Sequence, residues 1–197
     1  MSGRPPNRRS KGQSGSVRII AGAWRGRRLD IVGVNELCPT PDRVRETLFN
    51  WLMPVVSGAR CLDLYAGSGV LGIEVLSRGG VETWFVERDP RAAAAIEAAL
   101  LRLGAQDRGR VMQAEAHRWL QKPPSVAFDL VFLDPPYAAD NLAELCTLLS
   151  RGWLSSHGWI YLETSRGNSL PNLPDGWQLH REAEAGDVRF ALARLQE

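Results

Sequence analysis

LDLYAGSGVLGIEVLSRG, residues 62–79, is the stretch on which the fold turns. It opens as an apolar run, breaks at closely spaced glycines, and resumes with apolar residues on a helical repeat. Gly67-Ser68-Gly69-Val70-Leu71-Gly72 is a G-x-G-x-x-G set between a predicted strand, ARCLDLYA, and a predicted helix. Glycines let the backbone approach a ligand closely, and a helix N-terminus offers N–H groups with no intrahelical partner. The motif alone is weak evidence. Here the strand–turn–helix context is right, and Glu87 closes the next predicted strand 20 residues after Gly67. That is the spacing of an acid that accepts hydrogen bonds from ribose hydroxyls.

Asp63, at the mouth of the loop, narrows the ligand. A pyrophosphate on the helix N-terminus would be repelled by a carboxylate there. A ligand carrying an ammonium group, such as the methionine part of S-adenosylmethionine (SAM), would be held. The alternative is a solvated acid at a strand end. Glu115, after the third strand, faces either an adenine amino group or solvent.

Strand–helix alternation continues outward from this unit. VETWFVERD is followed by the alanine-rich helix PRAAAAIEAALLRLG, with Pro90 at a tolerated first-turn position. RVMQAEA, HRWLQK and FDLVFLDPP read as strand, short helix and a central strand buried on both faces. NLAELCTLLSRG and GWIYLETS add another helix and strand, and WQLHREAEAGDVRFALARL ends the chain as a hairpin around Gly186-Asp187. Upstream, PTPDRVRETLFNWL is a helix with Thr40 or Asp42 as its cap, burying Val44, Leu48 and Trp51 or Leu52. Before it, VRII and LDIV flank AGAWRGRR as a β-hairpin with an arginine-rich tip. The result is an α/β sheet sandwiched by helices, with an antiparallel ending.

The chain has 197 residues with ordinary apolar and charged fractions, 44% and 23%, and is long enough for one well-cored domain. It shows no apolar stretch of the roughly 20 residues a membrane helix needs, and MSGRPPNRRSKGQSGS has no apolar signal region. Three cysteines without close pairing and three scattered histidines suit neither a disulfide framework nor a metal site, so a cytoplasmic location and no metal are expected. Net charge is only +2, but residues 1–45 hold ten Lys/Arg against three Asp/Glu. A basic front on a mildly acidic body suggests a docked polyanion, although a solvated tail would look alike for residues 1–15. Residues 1–15 are too polar to build a core and are expected to be disordered alone.

The fourth strand ends in Asp134-Pro135-Pro136-Tyr137. Two prolines stiffen this corner and remove two backbone donors. It should lie beside the cofactor, at the switch point of the sheet. An exocyclic amine on a nucleobase is a poor nucleophile because its lone pair is delocalised. The Asp134 carboxylate and the Pro135 carbonyl offer two acceptors for its protons, and Tyr137 offers a ring to stack on the base.

VRIIAGAWRGRRL, PTPDRVRETLFNWL, LDLYAGSGVLGIEVLSRG and FDLVFLDPPY, in this order, resemble the bacterial 16S rRNA guanine-N2 methyltransferase D family, from about Val17 to the C-terminus. The resemblance implies a Rossmann-like class I SAM-dependent methyltransferase: a seven-stranded, mostly parallel sheet with an antiparallel C-terminal hairpin, plus an N-terminal β-hairpin extension. It implies SAM as cofactor, with Asp63, Tyr65, Gly67, Ser68, Gly69, Leu71, Glu87, Arg88, Glu115 and Ala116 around it and Asp134 to Tyr137 as the catalytic corner. The implied substrate is the guanine that the family name numbers 966, in small-subunit rRNA, free or within a subunit or assembly intermediate. A monomer is expected, divided into a basic tail (1–15), an RNA-binding extension (16–52) and a methyltransferase domain (53–197). Arg18, Trp24, Arg25, Arg27, Arg28, Arg43 and Arg45 are the expected RNA contacts. One departure is CPTPDR, where the family suggests RPTTDR: Cys38 stands where a basic residue would contact phosphate, and Pro41 where a threonine is expected. An adenine-N6 or protein-glutamine methyltransferase, a non-catalytic RNA-binding assembly protein and an NAD-dependent oxidoreductase are the rival readings. The last is disfavoured by Asp63.

Overall fold

The structure is a computed structural model that describes residues 15–31, 40–136 and 141–195. Strands β1 (Gly15–Arg18) and β2 (Arg28–Ile31) pair antiparallel, with Arg18 opposite Arg28. Helix α1 (Asp42–Leu52) follows. Then come β3 (Arg60–Asp63), α2 (Val70–Ser77), β4 (Glu82–Glu87), α3 (Pro90–Leu103), β5 (Gly109–Gln113) and α4 (Ala116–Leu120). The chain finishes with β6 (Phe128–Leu133), α5 (Leu142–Leu149), β7 (Leu154–Ser165), β8 (Trp177–Ala185) and β9 (Val188–Leu195).

Seven strands form one sheet in the order β5-β4-β3-β6-β7-β9-β8. The first five are mutually parallel, and β9 runs antiparallel to both β7 and β8. This is the class I methyltransferase sheet expected from the sequence, with the separate N-terminal ribbon beside it. The chain leaves β3 toward β4 and β5, then returns to β6 on the other side. Ligands in such sheets bind outside the carboxyl ends of the strands at this reversal.

Each sheet face is covered by its own apolar cluster. Val44 and Leu48 of α1, Ile73 of α2 and Ile96 of α3 cover one face, packing around Cys61, Phe85 and Phe132. Leu120 of α4 and Leu145 of α5 cover the other, around Leu62, Val131 and Leu162. Gly72 sets the closeness of α2 to the sheet. A Cβ there would lie 2.3 Å from the Phe85 ring, so only hydrogen fits.

The N-terminal ribbon is welded to α2. Ala23 N–H donates to the Ser77 carbonyl at 2.7 Å, Trp24 N–H to Ser77 Oγ at 3.0 Å, and Ser77 Oγ to the Ala21 carbonyl at 2.6 Å. A Cβ on Gly22, at φ +82°, would stand 2.0 Å from the Ser77 carbonyl oxygen. Val17, Ile19 and Leu29 of the ribbon belong to the same core as α1 and α2. Glu74 of α2, wholly buried, accepts from Ile20 N–H, from Arg45 at 3.3 Å and from Arg78 at 3.1 Å. Buried charges persist only when paired in this way.

The start of α1 differs from expectation. Pro41 occupies the cap position and no side chain caps the helix. The Thr40 hydroxyl is spent on Asp134, and the Asp42 carboxylate on Arg45. The first partner is tertiary and the second lies three residues on in the same helix, and both outcompete the backbone donors. Trp51 is half-buried, stacked on Phe190 at 5.3 Å, while Leu52 is in the core.

Candidate active site

β3 ends in Asp63 and β4 in Glu87, and their carboxylates organise the glycine loop. Asp63 accepts the Gly72 N–H at 3.0 Å. Glu87 takes the Gly67 N–H on one oxygen and the Asp89 N–H on the other, each at 2.8 Å, and so ties the loop to the start of α3. Gly67 and Gly69 both sit in the left-handed region, at φ 53° and 73°. Asp63 forms no ion pair among the described residues. Burial pushes its carboxyl up to about 7; the Gly72 hydrogen bond works against this, and the charge of Glu87 adds to it. Such a group gains much from a cationic ligand. A phosphate in the same place would meet repulsion. This chemistry fits the sulfonium and ammonium of SAM.

Of the other expected cofactor residues, Tyr65 and Ser68 belong to the loop and Leu71 to the first turn of α2. Tyr65 and Ser68 are half-buried, Leu71 and Ala116 buried, and Arg88 exposed. Glu115 is exposed and caps α4, its two oxygens accepting the His117 and Arg118 N–H groups at 3.0 and 2.8 Å.

Asp134 follows the last residue of β6, next to Pro135, which is buried, and Pro136, which is exposed. Its Oδ2 accepts the Thr40 hydroxyl at 3.3 Å. Leu133 pairs with Leu162, so Asp134 and Glu163 come next in register, side by side where β6 ends. Glu163 is only 3% exposed and accepts the Tyr161 hydroxyl at 2.6 Å. Burial first, then the charges of Glu163 and Asp63, holds the Asp134 carboxyl well above the usual carboxylate range. A cleft of about 530 Å³ opens beside the corner, lined by Pro135, Pro136, Leu142, Glu163 and Thr164 among others. Tyr137 and Cys38 lie outside the described residues, as do residues 1–14. Sequence reasoning missed Thr40 and Glu163 as site residues. Glu163 had a legible signal: like Asp63 and Asp134, it is an acid ending an apolar strand run.

The expected RNA contacts separate into two groups. Arg18, Arg25, Arg27, Arg28 and Arg43 are exposed. Arg18 lies 3.6 Å from Asp42, and Arg28 donates to Ser16 Oγ at 2.9 Å. Ser16, Arg18, Arg28, Thr40 and Asp42 line a recess of about 300 Å³ that leads from the ribbon to Thr40. Arg45 and Trp24 do not belong to this surface. Arg45 has no exposed side-chain area and is spent on Glu74, Asp42 and the carbonyls of Arg18 and Thr40. Its position on the inward face of α1 corrects the sequence expectation. Trp24 is 8% exposed, in the core beneath the Arg108 guanidinium, which lies 5.4 Å from its ring. Among the described residues no group of three His, Cys, Asp or Glu is arranged for a metal, and no helix is long and apolar enough to cross a membrane.

A family model described as conserved hypothetical protein 95 matches residues 17–194. The ribosomal RNA small subunit methyltransferase D of Escherichia coli (strain K12) is 43% identical over 180 residues, covering 91% of this chain and 90% of that protein. Its counterpart in Haemophilus influenzae is 42% identical over 182 residues, covering 90% and 93%. A solved Escherichia coli chain described as a methyltransferase superposes with a TM-score of 0.85 at 41% identity, over 92% of this chain and 99% of that one. A structure described as a methyltransferase complexed with SAH superposes at 0.71 with 11% identity, over 85% of this chain and 53% of that one, a likeness of fold alone.

Proposed function

Since this chain belongs to the conserved hypothetical protein 95 family, that of ribosomal RNA small subunit methyltransferase D, we propose that it methylates small-subunit ribosomal RNA, with SAM as donor, on the N2 amine of a guanine. By the same resemblance the guanine is the one numbered 966 in 16S rRNA. The single observation that carries the chemistry is the row Asp63, Asp134, Glu163. Asp63 ends β3, Asp134 follows β6 and Glu163 lies beside Asp134 in β7, so three neighbouring parallel strands each carry a carboxylate near the proline corner.

SAM supplies, when bound, an electrophilic methyl group on a positively charged sulfur. Asp63 would hold its cationic methionine end, and Glu87 its ribose. Asp134 and the Pro135 carbonyl accept the two protons of the guanine amine. That draws the nitrogen toward tetrahedral geometry and aims its lone pair at the methyl carbon. Methyl transfer there would form the N–C bond at the cost of the S–C bond, with SAH as the leaving product. The nitrogen loses one proton, and Asp134, whose carboxyl favours protonation, is placed to take it. The gain is positioning and charge stabilisation, with no covalent intermediate. Residues 16–52 act as the RNA-binding extension on the catalytic domain of residues 53–197. The exposed Arg18, Arg25, Arg27, Arg28 and Arg43 supply phosphate contacts. The enzyme works as a cytoplasmic monomer on rRNA or on an assembling subunit.

The test is incubation with labelled SAM and unmodified small-subunit RNA, naked or in particles, followed by mapping of the methylated atom. Label on a guanine N2 is expected. Label on an adenine N6, or none, refutes the reading. Asp134→Ala should bind SAM within about twofold of the parent and slow transfer about 100-fold or more.

A further inference from the structure

Nothing in the corner itself chooses guanine over adenine: an acid, a carbonyl and a ring suit any exocyclic amine. The choice can be made by a group that meets a ring nitrogen next to that amine. In guanine the amine is flanked by N1, which carries a proton and donates, and by N3, which carries a lone pair. In adenine the nitrogen next to the amine carries a lone pair and accepts. The discriminating group must therefore accept a hydrogen bond from N1–H, as an ionised carboxylate does, and it must stand beside Asp134.

Glu163 meets both conditions. It is next to Asp134 in strand register, it lines the cleft outside the corner, and it is on the side of Asp134 away from Asp63. The strand order β3-β6-β7 thus separates a donor side at Asp63 from an acceptor side at Glu163, with the catalytic carboxylate between them. Each of the two acceptor-side carboxylates is oriented by a hydroxyl: Tyr161 donates to Glu163, and Thr40 to Asp134. An ionised carboxylate has about four lone-pair sites and can accept from several donors at once. Two carboxylates side by side in a buried setting repel, and a ligand edge of consecutive N–H donors relieves that repulsion.

We propose that Glu163 is the purine-specificity residue, its carboxylate accepting the N1–H of the target guanine while Asp134 and Pro135 hold the neighbouring N2 amine. The assignment rests on the methyltransferase reading above. Adenine at this place turns its N1 lone pair toward a carboxylate, leaving two buried acceptors facing each other. A site built to hydrogen-bond one group rejects the analogue lacking it by about 10⁴ or more when the mismatch is fully buried.

The probe is 2-aminopurine, which keeps the exocyclic 2-amine but has an N1 acceptor in place of N1–H. Small-subunit RNA fragments would carry either guanine or 2-aminopurine at the nucleotide methylated by the parent enzyme. The parent should prefer guanine by about 100-fold or more in kcat/KM. Glu163→Gln, whose amide can turn an N–H toward N1, should bring that ratio below about tenfold, losing rate on guanine and gaining it on 2-aminopurine. SAM affinity should stay within about twofold. The ratio is taken within one preparation, so a partly unfolded variant does not imitate the result. An unchanged ratio in Glu163→Gln, or a parent that accepts both bases equally, overturns the assignment of Glu163 and leaves guanine methylation standing. A parent that methylates adenine, or nothing, overturns both.

Discussion

Asp63→Asn should make the protein more stable and a worse SAM binder at once. The Asp63 carboxyl is raised from an ordinary 3.8 to about 7, chiefly by burial. Between those values the folded protein holds a proton that the unfolded chain has released. The associated stability is fully present below about pH 4 and is lost as pH rises through 7. At roughly 1.4 kcal/mol per pH unit, the ionised carboxylate costs the folded, ligand-free protein about 4 kcal/mol above pH 7. Asparagine is neutral, nearly the same size, and its oxygen still accepts the Gly72 N–H. Urea denaturation without SAM should find the variant more stable than the parent by up to about 4 kcal/mol at pH 8. The two should converge as pH falls toward 4. Calorimetry at pH 8 should show SAM binding weakened at least about tenfold, the loss of one hydrogen-bonded charge pair. A stability difference that is the same at pH 5 and pH 8 would refute the reasoning, because a solvated or already paired carboxylate would give that result.

Glu87→Ala removes the acceptor that holds both Gly67 and Asp89 N–H groups, and calorimetry should show SAM affinity falling at least about tenfold. Arg45→Met leaves buried Glu74 with Arg78 and the Ile20 N–H but without its buried cation, and should cost about 3–5 kcal/mol in denaturant unfolding. An unaffected midpoint would mean that the buried network carries no weight. Gly22→Ala should lower thermal stability by more than the roughly 1–2 kcal/mol of its left-handed backbone alone, because the Ser77 carbonyl occupies the place of the new Cβ. Replacing Arg25, Arg27 and Arg28 together by Gln should reduce the slope of log affinity for RNA against log salt by up to about three, whereas an unchanged slope would make them ordinary surface charge.

What the sequence determined by itself is what neighbouring residues decide. The glycine turn between strand and helix, the acid at its mouth, Glu87 at the next strand end and the stiff Asp134-Pro135-Pro136 corner are each set by short-range backbone rules, and their order along the chain dictates a doubly wound sheet. The antiparallel ending and the arginine-tipped ribbon were legible for the same reason. Tertiary structure decided which charges face inward and which carboxylates meet. Arg45 and Arg43 are two positions apart on α1, yet one is exposed and the other is enclosed by Glu74. The helical repeat marks a face, and only the packed neighbours decide whether a cation on that face is tolerated. Thr40 reaches Asp134 across 94 positions, so its hydroxyl could not be told from a helix cap in the sequence. Glu163 stands beside Asp134 only because β7 pairs with β6 in that register, and a shift of one residue would turn its side chain to the opposite face.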